Sequence, residues 1–122
     1  MMKNLLEKFD ELSRLKAGWY DGQGAAPDAD RLKSIAQTLA NSYPEHLPLP
    51  TIVPTPDGNL LLEWGAEGDP SLDIDLTSMK ANFHAFSPDD KDVEAEFPLR
   101  GLADDFEPLF TLLSAHIQSR AA

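Results

Sequence analysis

The sequence predicts an α+β fold in which an antiparallel four-stranded sheet carries helices on one face, in the order α-α-β-β-β-β-α. Apolar residues recur at helical spacing over residues 5–15, 32–40 and 106–117, and they alternate with polar residues between positions 60 and 97. The connections between the alternating segments are short, which favours antiparallel pairing. Helices and strands that are segregated along a chain are typical of helices layered on one side of a sheet.

The first two helices are predicted from their apolar stripes and from the residues that flank them. Gly18 follows the first stripe, and glycine commonly terminates a helix. The second stripe begins beside Pro27 and Asp28, which suit a first helical turn, and Pro44 ends it. Trp19 is expected to be buried, as the anchor of the turn between these helices.

Residues 44–56 contain five prolines and are predicted to form an extended connector that packs along the domain as an edge element. A turn at residues 56–58 leads into the alternating region. The four predicted strands cover residues 60–64, 72–76, 80–86 and 92–97.

The last helix is predicted to begin shortly after Gly101. Asp104 or Asp105 is expected to cap it, and Pro108 falls in the first turn, where its missing N–H group is harmless.

Length and composition place the chain among ordinary globular proteins. It has 122 residues, which we interpret as one domain over residues 1–122, and 42% of them are hydrophobic. The absence of cysteine excludes disulfides, thiolate catalysis and cysteine-ligated metals, and no motif predicts a cofactor. Neither a signal peptide nor a membrane span is predicted, so we expect a cytoplasmic protein.

The formal net charge of −11 is concentrated in one part of the chain. Residues 56–97 contain eleven acidic residues and two lysines, whereas residues 1–43 are neutral overall. Binding to nucleic acid phosphates or to anionic membranes depends on clustered Lys and Arg, so direct interaction with either is not expected. A basic protein remains the partner that this charge favours.

The polar side of the predicted strands supplies the candidate site. The candidate residues on this side are Glu63, Asp73, Asp75, His84, Glu94 and Glu96. Trp64, and also Phe86, are candidate aromatic anchors beside them. The sequence favours a non-enzymatic module that binds a basic protein surface through this acidic sheet face, with solubility alone as the simplest explanation of the charge.

The alternative interpretation is a small metal-binding or hydrolytic protein. Its site would be a cluster of carboxylates with the imidazole of His84, if the strand register brings Glu63, Asp73 and Asp75 close to it. His46 and His116 lack the spacing of helical metal ligands and are interpreted as incidental.

Two further motifs support a resemblance. Gly18-Trp19-Tyr20-Asp21-Gly22 has the form GWxDG, and Pro54-Thr55-Pro56-Asp57-Gly58 followed by Glu63-Trp64 has the form PTPDG…EW. Together with Pro27 and Leu47-Pro48-Leu49-Pro50, these elements resemble a family of small uncharacterised bacterial proteins over roughly residues 12–76. The resemblance implies a bacterial cytoplasmic origin and assigns no activity or functional residues.

Overall fold

The computed structural model describes residues 2–65, 69–86 and 92–121, and these residues form the predicted α+β fold. Its helices are α1 (Met2–Ser13), α2 (Ala29–Ser42) and α3 (Glu107–Ala121). Its strands are β1 (Thr51–Pro54), β2 (Leu60–Glu63), β3 (Ser71–Asp75), β4 (Lys80–Ala85) and β5 (Val93–Pro98). No helix within the described ranges is both long and apolar enough to cross a membrane.

The prediction of four strands is wrong, because the described residues form a five-stranded antiparallel sheet in the order β1-β2-β3-β4-β5. The additional strand, β1, lies in the proline-rich connector that was predicted only as an edge element. Val53 of β1 lies opposite Leu61 of β2. Pro50 and Pro54 are compatible with this strand because β1 is an edge strand, where a residue needs no N–H group on its free side.

The β1–β2 hairpin is closed by the predicted turn at Pro56, Asp57 and Gly58. Gly58 has a φ of +87° and donates its N–H to the Thr55 carbonyl at 3.0 Å. The Asn59 carbonyl accepts a hydrogen bond from the Thr55 N–H at 3.0 Å. This turn fixes the register of β1 on β2.

α1 and α2 have different terminal structures. α1 ends at Ser13, before the predicted limit at Gly18, and the Arg14 N–H bonds to the Glu11 carbonyl in a tighter turn. α2 begins as predicted, with the Asp28 carboxylate accepting the Arg31 N–H at 3.0 Å.

The connection between these helices contains a miniature hairpin. Asp21 and Gly22 both have positive φ, +50° and +83°, which is the backbone of the two-residue turn that Asp-Gly favours. Tyr20 and Gln23 exchange backbone hydrogen bonds across it. Trp19 is only partly buried, contrary to expectation, because its ring lies over this surface hairpin and its indole N–H bonds to the Ala25 carbonyl at 2.8 Å.

One hydrophobic core joins the helices to the sheet. Alternate residues of the strands, such as Leu62, Leu72 and Phe83, are buried on what we call the inner face of the sheet. They belong to the same cluster as residues from α1 and α2 and as Leu109 of α3. The opposite face, which we call the outer face, therefore carries the other half of each strand.

The segment before α3 is organised by a buried carboxylate. Asp105 is 4% exposed, and its Oδ2 accepts the backbone N–H groups of Arg100, Gly101 and Leu102 at 2.8, 2.7 and 3.0 Å. Asp105 thus fixes the chain that precedes it and does not cap α3 as predicted. Pro108 lies in the first turn of α3, as expected.

Candidate functional site

The outer face of the sheet places the predicted acidic residues in cross-strand rows. Its first row is Thr51, Glu63, Ser71, His84 and Glu94. Its second row is Val53, Leu61, Asp73, Asn82 and Glu96. A third, shorter row is Asp75, Lys80 and Pro98. The outer face therefore carries five carboxylates and one lysine on these strands.

The carboxylates share a face but are not in contact with one another. In the first row Ser71 and His84 separate Glu63 from Glu94, and in the second row Asn82 separates Asp73 from Glu96. Side chains two strands apart are about 10 Å apart, and those two residues apart on one strand are about 7 Å apart. These spacings combine the negative potentials of the carboxylates without bringing any two of them into contact.

The same spacings disfavour a chelated metal ion on the outer face. Oxygen ligands of Ca²⁺ lie at about 2.3–2.6 Å from the ion, so they converge within a few ångströms of one another. Within residues 2–65, 69–86 and 92–121, no group of three His, Asp or Glu side chains has that geometry. Glu63, Asp73, Asp75 and His84 consequently do not form the convergent cluster that the alternative interpretation requires.

A shallow depression of about 540 Å³ lies between the two long rows, on strands β3 to β5. Asp73, Glu94 and Glu96 surround it, and Asn82 and His84 complete its polar lining. Asp73, Glu94 and Glu96 are all exposed. The depression therefore has three carboxylates at its rim, and the Lys80 ammonium lies 3.9 Å from that of Glu96.

One end of the outer face carries an exposed aromatic ring. Phe86 is 55% exposed, and its ring stacks edge-on against His84 with 4.7 Å between ring centroids. The Nε2 atom of His84 lies 3.8 Å from the Asp92 carboxylate and 3.9 Å from that of Glu94. An apolar ring thus stands directly beside carboxylates.

Trp64 does not belong to this surface. It follows Glu63 in the alternation and lies on the inner side, where it packs against the hydrophobic core. Its indole N–H donates to the Tyr43 hydroxyl at 2.9 Å, and that hydroxyl bonds to the Pro48 carbonyl. The expectation that Trp64 is an aromatic anchor beside the acids is therefore corrected, and Phe86 is the aromatic residue that occupies that position.

Asp75 lies on the outer face but its carboxylate is used within the fold. Its Oδ1 atom accepts the N–H groups of Ser78 and Thr77, at 3.2 and 2.8 Å, in the turn between β3 and β4. These two hydrogen bonds, of which the one from Ser78 has the larger effect, lower the pKa of Asp75 below its ordinary value of 3.8. We therefore separate Asp75 from the acids that are free to meet a partner.

A second imidazole–carboxylate pair lies beneath the sheet end and was missed by the sequence analysis. Asp69 Oδ2 lies 4.0 Å from Nε2 of His116, and their side chains are 11% and 10% exposed. The other oxygen of Asp69 accepts the Phe86 N–H at 2.9 Å. The pair joins positions 47 residues apart in the sequence, so no local spacing reveals it. It connects α3 to the end of β4.

Comparisons of the chain with protein-family models, with curated proteins and with solved structures find no significant match. The geometry of the outer face therefore carries the functional argument alone.

Proposed function

We propose that this protein is a binding module that contacts a basic protein surface through the acidic outer face of its sheet. The observation that carries this proposal is the depression among Asp73 of β3 and Glu94 and Glu96 of β5, three exposed carboxylates on strands that flank β4. Carboxylates at these spacings attract a cationic partner over distances of about 8–10 Å at physiological salt. Their hydration does not have to be given up completely for this attraction to act.

Phe86 supports a protein partner over a small cation. Aromatic residues supply much of the affinity of protein interfaces, and Phe86 places a ring that is 55% exposed beside the acidic residues. The ring is adjacent to His84 and therefore to Glu94. A basic surface with one apolar pocket at its edge matches this combination of charge and apolar area.

The proposal is tested by removing three charges from the depression without disturbing the fold. The test variant combines Asp73→Asn, Glu94→Gln and Glu96→Gln, and it leaves Asp75 in place because that carboxylate holds the β3–β4 turn. The control variant combines Glu7→Gln, Glu11→Gln and Glu45→Gln, which are exposed residues away from the sheet. Both variants have the same net charge.

The two variants and the parent protein are used to capture partners from a bacterial lysate at low salt, and a captured basic protein is then titrated in purified form. We expect the test variant to bind that protein at least about tenfold more weakly than the control variant does. We also expect the affinity of the parent protein to fall as salt is raised from 50 to about 300 mM. Equal binding by the two variants would contradict the proposal.

A further inference from the structure

The two edges of the sheet differ in their ability to pair with another strand. Antiparallel strands bond to each neighbour through alternate residues, and the remaining residues direct their N–H and C=O groups away from it. The Leu99 N–H donates to the Met79 carbonyl at 2.8 Å. By alternation along the β4–β5 register, Val93, Ala95 and Phe97 bond to β4.

Glu94 and Glu96 therefore direct their backbone N–H and C=O groups outward from the free edge of β5. No backbone hydrogen bond from another described residue satisfies them. Pro98 occupies the next outward position, where its missing N–H costs no ladder bond. With respect to the described residues, the backbone groups at this edge are therefore available for pairing at Glu94 and Glu96.

The β1 edge is closed by comparison. The Thr55–Asn59 hydrogen bond places Thr51 and Val53 toward β2, so the outward positions are Pro50, Ile52 and Pro54. Two of these three residues have no N–H group. This edge also faces α1, since residues of α1 and β1 line the same cleft of about 590 Å³. Both the missing N–H groups and the neighbouring helix α1 therefore disfavour pairing of another strand at the β1 edge.

We propose that the partner binds as an extended basic segment, which adds to β5 as an antiparallel sixth strand. This inference rests on the proposed function. In such a pair, residues directly opposite each other exchange backbone bonds and place their side chains on the same face. The residues opposite Glu94 and Glu96 would therefore project onto the acidic outer face. Lys or Arg at alternate positions of the partner segment fits this arrangement.

A second copy of the chain does not fit it. Antiparallel pairing of two β5 strands would place Glu94 and Glu96 against the same acidic residues of the other copy, and like charges directly opposite are destabilising. Two chains of net charge −11 also repel each other at long range. The charge pattern thus selects a basic strand over self-association.

The test uses the synthetic peptide Ac-Thr-Lys-Val-Lys-Val-Lys-Thr-NH₂, titrated into the full chain at low salt. In one derivative the backbone nitrogens of the second and third lysines are methylated, which removes two of the N–H groups that would face β5. In the matched derivative the backbone nitrogens of the valines are methylated instead, and these would face solvent. Charge and composition are the same in both derivatives.

We expect methylation at the lysines to weaken binding at least about tenfold and methylation at the valines to change it less than about threefold. We also expect the amide hydrogens of Glu94 and Glu96 to exchange at least about tenfold more slowly when the parent peptide is bound. Equal affinities of the two derivatives, or unchanged exchange of both amides, would overturn strand addition. A loss confined to valine methylation would also overturn it, because it requires another pairing geometry.

A protein variant provides an independent test. Glu94→Pro removes the outward N–H group without removing a bond to β4, and Glu94→Gln removes the same charge but keeps the N–H group. With circular dichroism confirming that both variants fold, we expect the proline variant to bind the peptide at least about fivefold more weakly than the glutamine variant. Equal binding by the two would contradict strand addition.

The outcomes separate this inference from the proposed function. If the methylated derivatives bind alike but the triple variant at Asp73, Glu94 and Glu96 loses binding, the acidic face acts without strand addition. If the parent peptide does not bind at all, strand addition is wrong, and the comparison of the test and control variants in binding a captured basic protein decides the proposed function by itself.

Discussion

Asp105 provides the sharpest test of how this fold is held together. One oxygen of its buried carboxylate accepts three backbone N–H groups, from Arg100, Gly101 and Leu102, over 2.7–3.0 Å. Its other oxygen is also buried and lies 3.8 Å from the Arg100 guanidinium. The substitution Asp105→Ala removes every one of these interactions. It leaves the three N–H groups to be satisfied by water.

The expected cost follows from the number and exposure of these bonds. A hydrogen bond to a charged group contributes about 1.5–3 kcal/mol, so three of them set an upper limit of roughly 4–9 kcal/mol. The donors lie on exposed residues, so water replaces part of that loss, and the variant no longer buries a carboxylate. We therefore expect the free energy of unfolding to fall by about 2–4 kcal/mol, a large share of the 5–15 kcal/mol typical of a domain.

Urea denaturation followed by circular dichroism at 222 nm measures this change. Asp105→Asn keeps one oxygen acceptor and should lose less, about 1–2 kcal/mol, while Arg100→Gln should change stability by less than about 1 kcal/mol. A loss below about 0.5 kcal/mol for Asp105→Ala would refute the assignment of Asp105 as the residue that fixes residues 100–102 before α3.

Three further perturbations test other parts of the structure. Burial raises the pKa of Tyr43 above its ordinary value of 10.0, although the hydrogen bond from Trp64 acts in the opposite direction. In a Tyr20→Phe variant Tyr43 is the only tyrosine, so the phenolate absorbance near 295 nm reports on it alone. We expect that absorbance to appear above pH 10. The contribution of Tyr43 to stability is complete below the ordinary pKa and is lost as the pH rises through the raised one; a midpoint below 10 would contradict this. Because Trp19 is only partly buried, Trp19→Ala should lower the free energy of unfolding in urea by about 1–3 kcal/mol, less than the roughly 3–5 kcal/mol of a fully buried aromatic residue. A loss above about 4 kcal/mol would contradict this partial burial. Because the pKa of Asp75 is lowered, the contribution of its carboxylate to stability is present above pH 3.8 and is lost as the pH falls below that value. The difference in unfolding free energy between the parent and Asp75→Asn should therefore shrink on acidification. A constant difference would contradict the role of this carboxylate.

The sequence predicts the central strands well because their apolar and polar residues alternate strictly. Leu72 and Ile74 are buried while Asp73 between them is exposed, which is the pattern expected of a strand with one solvated face. The same alternation correctly predicts that Asp73 and Glu96 share a face. It does not reveal that Asn82 lies between them, because register depends on the turns and on the buried side chains of neighbouring strands.

Other features depend on contacts between distant segments and were not predictable in the same way. Residues 51–54 have too short an alternation between prolines to indicate a strand, and pairing with β2 is what makes them one. Trp64 is held on the inner side by Tyr43, which comes from the end of α2. The Asp69–His116 pair requires α3 to pack under the end of β4. Each case is decided by tertiary packing and not by local pattern.

The charge on β5 has two explanations that make opposite predictions for charge reversal. Charged residues on edge strands protect proteins against edge-to-edge aggregation, and lysine serves this purpose as well as glutamate does. If protection is the only role, the double variant Glu94→Lys and Glu96→Lys should remain monomeric in analytical ultracentrifugation and should bind a basic partner as the parent does. If the β5 edge receives a basic strand, the same variant should remain monomeric but lose at least about a hundredfold in affinity, because each attractive pair becomes a repulsive one. Retained affinity for the basic peptide would identify the acids as protective only.

The prolines at the outward positions of β1 favour the second explanation, because they show that this chain closes an edge by removing N–H groups, whereas β5 keeps those groups at Glu94 and Glu96.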